Sequence, residues 1–167
     1  ALGEVRRSLE SGIELSICFA QQGGVFDNFY VSMVRVGEMT GRLDEVFLRL
    51  FEHLEFEQLM RTQKMDFVQF SYNLLDREVE QRLLPLAQER RIAVIVNRPF
   101  REGALLRDLQ RHALPAWAAE IGCDGWAQVA LKFVVSHPAV TCAIPATSSV
   151  AHVRQNMGAA LGPMPDA

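Results

Sequence analysis

The feature that most constrains the fold of this chain is a change in the spacing of its apolar residues between about Arg61 and Asp66. Before it, apolar residues recur at the period of a helix that buries one face. After it, short apolar runs alternate with helical stretches, as strand-helix units on a parallel sheet require. The expected fold class is therefore mixed. An all-α segment containing a helical hairpin occupies residues 1–62, and α/β units occupy residues 63–167, with the boundary near Arg61 to Lys64.

In the first segment Gly12, Gly23, Gly24 and Gly41 offer left-handed stops between three or four short helices. Asn28 to Glu38 would turn Phe29, Met33 and Val36 inward, with Tyr30 beside them. The next helix begins near Leu43 and Asp44. There Leu43, Val46, Phe47, Leu50, Phe51 and Leu54 share one face, opposite Arg42, Glu45, Arg49, Glu52 and Glu55. Asp44 is suited to cap it, and the turn from Gly37 to Gly41 permits an antiparallel return.

In the second segment Phe67 to Tyr72 and Val140 to Ile144 suit strands, and Ile92 to Val96 is apolar on both alternating faces, as a covered parallel strand must be. A helix between the first two ends at Arg90 and Arg91, with Pro85 in its first turn. Asp124 can cap a helix from Trp126 to Ser136 that Pro138 stops, and Thr147 or Ser148 can cap a last helix from Val150 to Ala160.

Composition excludes several classes of function. The 167 residues are 49% hydrophobic and 22% charged, which suits a globular chain. A net charge of -3 with no basic block points away from nucleic acid and anionic lipid. Cys18, Cys123 and Cys142 are odd in number, far apart and set among apolar residues, so buried reduced thiols and a cytoplasmic location are expected. No apolar run approaches the roughly 18 residues of a membrane span, and no signal peptide opens the sequence. Its start at Ala1 and its Gly/Pro-containing end from Gly158 read as a window on a longer protein. His53, His112, His137 and His152 lack metal-ligand spacing; Glu52, His53 and Glu57 read as a solvated helix face, and Trp117 and Trp126 as core. There is neither a Gly-rich phosphate loop nor a Gly-x-Ser-x-Gly elbow.

The run Phe29 to Val46, with Gly37-Glu38-Met39-Thr40-Gly41-Arg42-Leu43 at its turn, resembles the F-domain of type II secretion and type IV pilus inner-membrane platform proteins. The resemblance covers about Ala1 to Met60. It implies the later helices of an all-helical cytoplasmic domain, no catalysis, and partners among secretion or pilus machinery, peripheral to the bacterial inner membrane in a longer parent. For Glu38 and Asp44 a helix-turn carboxylate and an N-cap stand beside contact with a partner.

Three later motifs, Asp66 to Asn73, Asn97-Arg98-Pro99-Phe100, and Ile144 to Ala159, resemble in order and spacing the last three strand-helix units of an aldo/keto reductase. That family folds as a (β/α)8 barrel with its cofactor, usually NADPH, across the C-terminal strand ends. By this resemblance Gln69 would hold the nicotinamide carboxamide. Asn97 stands where many members place an aromatic ring against the nicotinamide, leaving Arg98 or Phe100 to fill that space. Thr147 and Ser148 would meet cofactor phosphate, as a helix N-terminus allows. Gln155 and Asn156 would face the adenine. His152 stands near the basic residue that many members set beside the adenosine phosphate, which leaves NADP or NAD open.

Carbonyl reduction in the family uses an Asp, a Tyr, a Lys and a His from earlier strands, and those strands are not in this sequence. Tyr72 and Lys132 are not expected to replace them. Three parallel strands from an eight-stranded barrel would have two open edges and an uncovered face, so self-association is expected unless the helices cover them. Two readings follow: a junction of two unrelated genes that retains a cofactor-holding half-barrel, or a non-enzymatic interaction module carrying a reductase-like scaffold.

Overall fold

The computed structural model describes residues 2–165. The chain divides between Leu59 and Met60 into two compact units.

The first unit holds α1 (Leu2–Glu10), α2 (Leu15–Ala20), α3 (Asn28–Thr40) and most of α4 (Leu43–Thr62). The Asp27 carboxylate caps α3 by accepting from the Tyr30 amide at 3.1 Å. The helix stops at Gly41, whose φ of 69° is the left-handed conformation that glycine adopts without steric cost. The Arg42 amide then donates back to the Gly37 carbonyl at 2.9 Å and closes the turn. Gly37 is required by close packing: a Cβ there would lie 3.0 Å from both Leu43 Cδ2 and Val46 Cγ2. Tyr30, Val34, Val46 and Leu50 form the buried centre, with Leu15, Phe19, Phe26 and Met33 packed against it.

Glu38 joins two parts of this unit. Residue Glu14, at the N-cap of α2, makes no side-chain capping bond. The Glu38 carboxylate supplies the missing acceptor across the fold, taking hydrogen bonds from the amides of Leu15 and Ser16, the latter at 3.0 Å. Burial pushes this carboxyl up, but hydrogen bonds from Ser16 and Leu15 and the charge of Arg35 outweigh that effect and hold it below the ordinary carboxylate value.

Several inward assignments in this unit are corrected. Val34 is buried, while Val36, Phe47, Phe51 and Leu54 are exposed. The apolar stripe is wider than the seam that α3 and α4 share, so spacing alone marks residues that the seam does not cover. Asp44 lies within the first turn of α4 instead of capping it, because the helix already starts at Leu43. Glu57 is buried, on the same face as the fully buried Met60 three residues on.

The second unit runs β1 (Phe67–Ser71), α5 (Leu83–Arg90), β2 (Ala93–Asn97), α6 (Ala104–Leu109), α7 (Trp117–Glu120), α8 (Trp126–Ser136), β3 (Cys142–Ala143) and α9 (Val150–Gly158). The strands form a parallel sheet in the order β1-β2-β3, with Gln69 opposite Ile95 and Ile95 opposite Cys142. Val140 to Ile144 was expected as the third strand; the ladder is shorter, though Thr141 and Ile144 extend it through amide bonds to Val94 and Val96. On one face Val68, Tyr72, Val94 and Val96 are buried, with α5 packed on β2 and α8 on β3. On the other face Phe67, Gln69, Cys142 and Ile144 are exposed. Cys142 therefore departs from the expectation of a buried thiol, which Cys18 and Cys123 meet. Trp117 is 48% exposed and is not core.

Replacing Glu38 tests its reach across the helical unit. Because its folded pKa lies below the unfolded one, its contribution is complete above the ordinary carboxylate range and is lost as pH falls through the lowered value. Glu38→Ala is expected to cost about 1 kcal/mol, as loss of an N-cap does. In thermal melts followed by circular dichroism, the deficit should shrink on acidification. A deficit that stays the same at every pH would refute the carboxylate's role.

Candidate functional site

Parallel pairing sends the chain out of β2 and β3 at the same end of the sheet. Between the two emerging loops and the N-terminus of α8 lies a cavity of about 690 Å³. That size falls within the range of small-molecule sites, and the C-terminal end of a parallel sheet is where such sites form.

Five of the eight residues expected to hold a cofactor line this cavity: Arg98, Thr147, His152, Gln155 and Asn156. Gln69 and Asn97 stand instead on the open face of the sheet, where Ser71 Oγ donates to Asn97 Oδ1 at 2.8 Å. Ser148 is exposed in the turn before α9 and lies outside the lining. Apolar walls come from Phe100, Leu106, Leu114 and Trp126.

The start of α9 is built by hydroxyls. Ser149 Oγ accepts from the His152 amide at 3.4 Å, and Thr147 Oγ1 accepts from the Ser149 amide at 3.2 Å. Ser149 is thus the cap, in place of the expected Thr147 or Ser148, and the helix ends at Gly158 rather than Ala160. Thr147 Oγ1 also lies 3.4 Å from His152 Nδ1. A hydroxyl, an imidazole and the positive end of a helix dipole together favour an anion.

Helices α8 and α9 meet through glycines. A Cβ on Gly125 would lie 2.9 Å from Gln155 Nε2, and one on Gly158 would lie 2.7 Å from Gln128 Nε2. Asp124 does not cap α8: Gly125 occupies the N-cap, and Gln128 Oε1 reaches back to accept from the Asp124 amide at 2.6 Å.

The loop after β2 carries three non-glycine residues in the left-handed region: Arg98 at φ 49°, Arg101 at 50° and Glu102 at 57°. The Arg98 guanidinium pairs with Glu102 at 3.0 Å.

Tyr72 and Lys132 are engaged elsewhere. The Tyr72 hydroxyl donates to Glu80 Oε1 at 2.6 Å, and burial together with Glu80 pushes its pKa up. The buried Lys132 ammonium donates to the Pro163 carbonyl at 3.1 Å and also to Leu161. Among the described residues no His, Cys, Asp and Glu side chains gather as a metal site, and burial pushes the Cys123 thiol up. Of the apolar walls, Phe100 was named through the resemblance, whereas Leu106, Leu114 and Trp126 were missed. Trp126 read as core, and it does pack against the buried Ala118, Cys123 and Val129 while also lining the cavity.

The model of the aldo/keto reductase family matches residues 40–167. The chain belongs to that family. Residues 1–67 match protein F of the type II secretion system, so the two matches overlap from residue 40 to residue 67. Methylglyoxal reductase YeaE of Escherichia coli is 36% identical over 89 residues, covering 53% of this chain and 31% of that protein. Type II secretion system protein F of Xanthomonas campestris pv. campestris is 30% identical over 60 residues, covering 36% of this chain and 15% of that protein. The structure of an aldo-keto reductase from Klebsiella pneumoniae in complex with NADPH aligns at a TM-score of 0.55 and 26% identity, over 73% of this chain and 49% of that one. The holo form of an aldo-keto reductase from Bacillus halodurans shares the fold at a TM-score of 0.53 and 19% identity, over 76% of this chain and 52% of that one. This aldo/keto reductase chain thus spans less than a third of its curated relatives and about half of its structural ones. No helix among its described residues is long and apolar enough to cross a membrane.

Removing the α9 cap should loosen the cavity. Ser149→Ala is expected to cost about 1 kcal/mol. Amide exchange in the first turn of α9 should rise while that of β2 is unchanged; unchanged protection in α9 would exclude Ser149 as its cap.

Proposed function

We propose that residues 63–167 are an incomplete aldo/keto reductase barrel that holds NADP(H) without reducing carbonyls on its own, joined to a secretion F-domain piece over residues 1–62. The observation that carries this reading is the convergence of Arg98, Thr147, His152, Gln155 and Asn156 on one cavity. The donor set fits the cofactor. Thr147, His152 and the start of α9 suit a phosphate, Arg98 adds a cation, Gln155 and Asn156 offer amide groups to a base, and Phe100 and Trp126 offer flat walls. Gln69 and Asn97, on the sheet face next to the cavity's β2 loop, would receive the nicotinamide end. The Klebsiella relative was solved with NADPH, which supports the same ligand here.

When bound, NADPH would supply a hydride; the described residues of the cavity would bind and orient the nucleotide, and neither Tyr72 nor Lys132 lines it to serve a carbonyl. The Tyr72 hydroxyl is engaged in a hydrogen bond to Glu80, and Lys132 is held by backbone carbonyls. His152 leaves the choice between NADP and NAD open to measurement.

A second reading is favoured by the match of residues 1–67 to protein F and by exposed Val36, Met39, Phe47, Leu48 and Phe51 on α3 and α4. In it the helical unit docks on secretion or pilus components in the cytoplasm and the sheet unit serves as a scaffold, free to self-associate through its open edges. Co-purification with the cytoplasmic domains of such a system would favour it.

Titration with NADPH, followed by the fluorescence of Trp126 and Trp117, should give a saturable change. Arg98→Ala and Thr147→Val should each weaken binding by up to about tenfold, as loss of a charge-assisted hydrogen bond does. No saturable change up to millimolar NADPH would overturn the nucleotide reading.

A further inference from the structure

We infer that Asn73 is a positioning residue for the nucleotide cavity, holding the loop after β2, and with it Arg98, in the conformation that lines the cavity. The inference rests on the nucleotide reading above and adds to it a residue that lies outside the lining of this cavity.

Asn73 follows β1 and is completely buried. Its carboxamide is fully used. The oxygen accepts from the amides of Leu75 and Asp76, each at 3.0 Å, which folds the turn after β1. The nitrogen donates to Asp76 Oδ2 at 2.8 Å and, leaving its own turn, to the Arg98 carbonyl at 3.3 Å. A second link runs parallel to this one, because Arg101 Nε lies 3.2 Å from the same Asp76 Oδ2. The turn after β1 is thereby tied twice to the loop after β2.

The tie falls where the loop needs it. Arg98 is in the left-handed region at φ 49°, which is unfavourable for a residue bearing a side chain and persists only where its surroundings impose it. The Arg98 carbonyl accepts from Asn73 on one side and from the Arg101 amide, at 3.0 Å, on the other. Residues Arg98, Phe100, Glu102 and Gly103 of this loop all line the cavity. The oxygen side of Asn73 thus shapes its own turn, while the nitrogen side fixes a cavity wall contributed by the neighbouring strand.

The two roles separate in the double substitution Asn73→Asp with Asp76→Asn. The new carboxylate keeps the two backbone amides and pairs with the new amide in reversed polarity, but it faces the Arg98 carbonyl with an acceptor while the new amide faces Arg101 Nε with a donor, so the turn is kept and both ties to the loop are lost. Asn73→Ala, which removes both roles, serves as the comparison, and thermal melts report whether each variant folds. In the double variant, hydrogen exchange across residues 98–103 should quicken while β2 keeps its protection, and NADPH affinity should fall about tenfold. Adding Arg98→Ala to the double variant should then cost little further, since the loosened loop no longer holds the guanidinium that Arg98→Ala removes. Parental exchange and affinity, or losses that simply add, would overturn the assignment and leave the nucleotide reading standing. If the unaltered chain binds no NADPH, the nucleotide reading falls and the assignment falls with it, whatever the exchange shows.

Discussion

Parallel pairing of β2 with β1 on one side and β3 on the other determines where every loop of the second unit emerges. Phe67 to Ser71 matches Ala93 to Asn97 residue for residue, and Ile95 and Val96 match Cys142 and Ala143. The Thr141 hydroxyl strengthens the second pairing by accepting from the Val94 amide at 3.0 Å. With this register Arg98 and Ile144 leave the sheet side by side, and the cavity lies between them. A slip of one residue would turn Val94 and Val96 from the helix-covered face to the open one, so burial of those two valines fixes the register on which the site depends.

Much of this unit was legible because its strands and long helices have strong periods. Trp126 to Ser136, the end of α5 at Arg90 and the strand from Phe67 follow directly from apolar spacing and from Pro138. Caps were less legible. Thr147, Ser148 and Ser149 are all good capping residues in a row, and only the exact start of the helix selects Ser149. Gln128 reaching back to Asp124 is a side-chain bond that no spacing announces. Cys142 looked buried because its neighbours in sequence are apolar, but its place in β3 turns it to the exposed face of the sheet. At the site, a motif resemblance brought five cavity residues together and named Phe100 beside them, but Trp126 was hidden among residues that aromatic character alone assigns to a core.

In the helical unit four positions of the Gly37 to Leu43 turn each meet a structural demand. Gly37 makes room for Leu43 and Val46, Glu38 caps a distant helix, Thr40 Oγ1 donates to the Val36 carbonyl at 2.7 Å, and Gly41 takes the left-handed stop. The turn is recognisable because four independent requirements coincide in seven residues, and all four concern packing and backbone bonding. Glu38, the one member whose charge could have pointed to a partner, is occupied inside its own unit.

The cavity also has a short address in the chain. Its walls run from Arg98 to Asn156, and the tie that steadies them begins at Asn73, so the whole assembly lies in one uninterrupted stretch. A site of this kind can travel as a single genetic segment. An exchange of coding sequence anywhere upstream of β1 would leave its walls and its internal bracing intact and would change only what stands opposite them. On the proposed reading, the nucleotide-holding surface would pass to a new neighbour without the rest of its barrel.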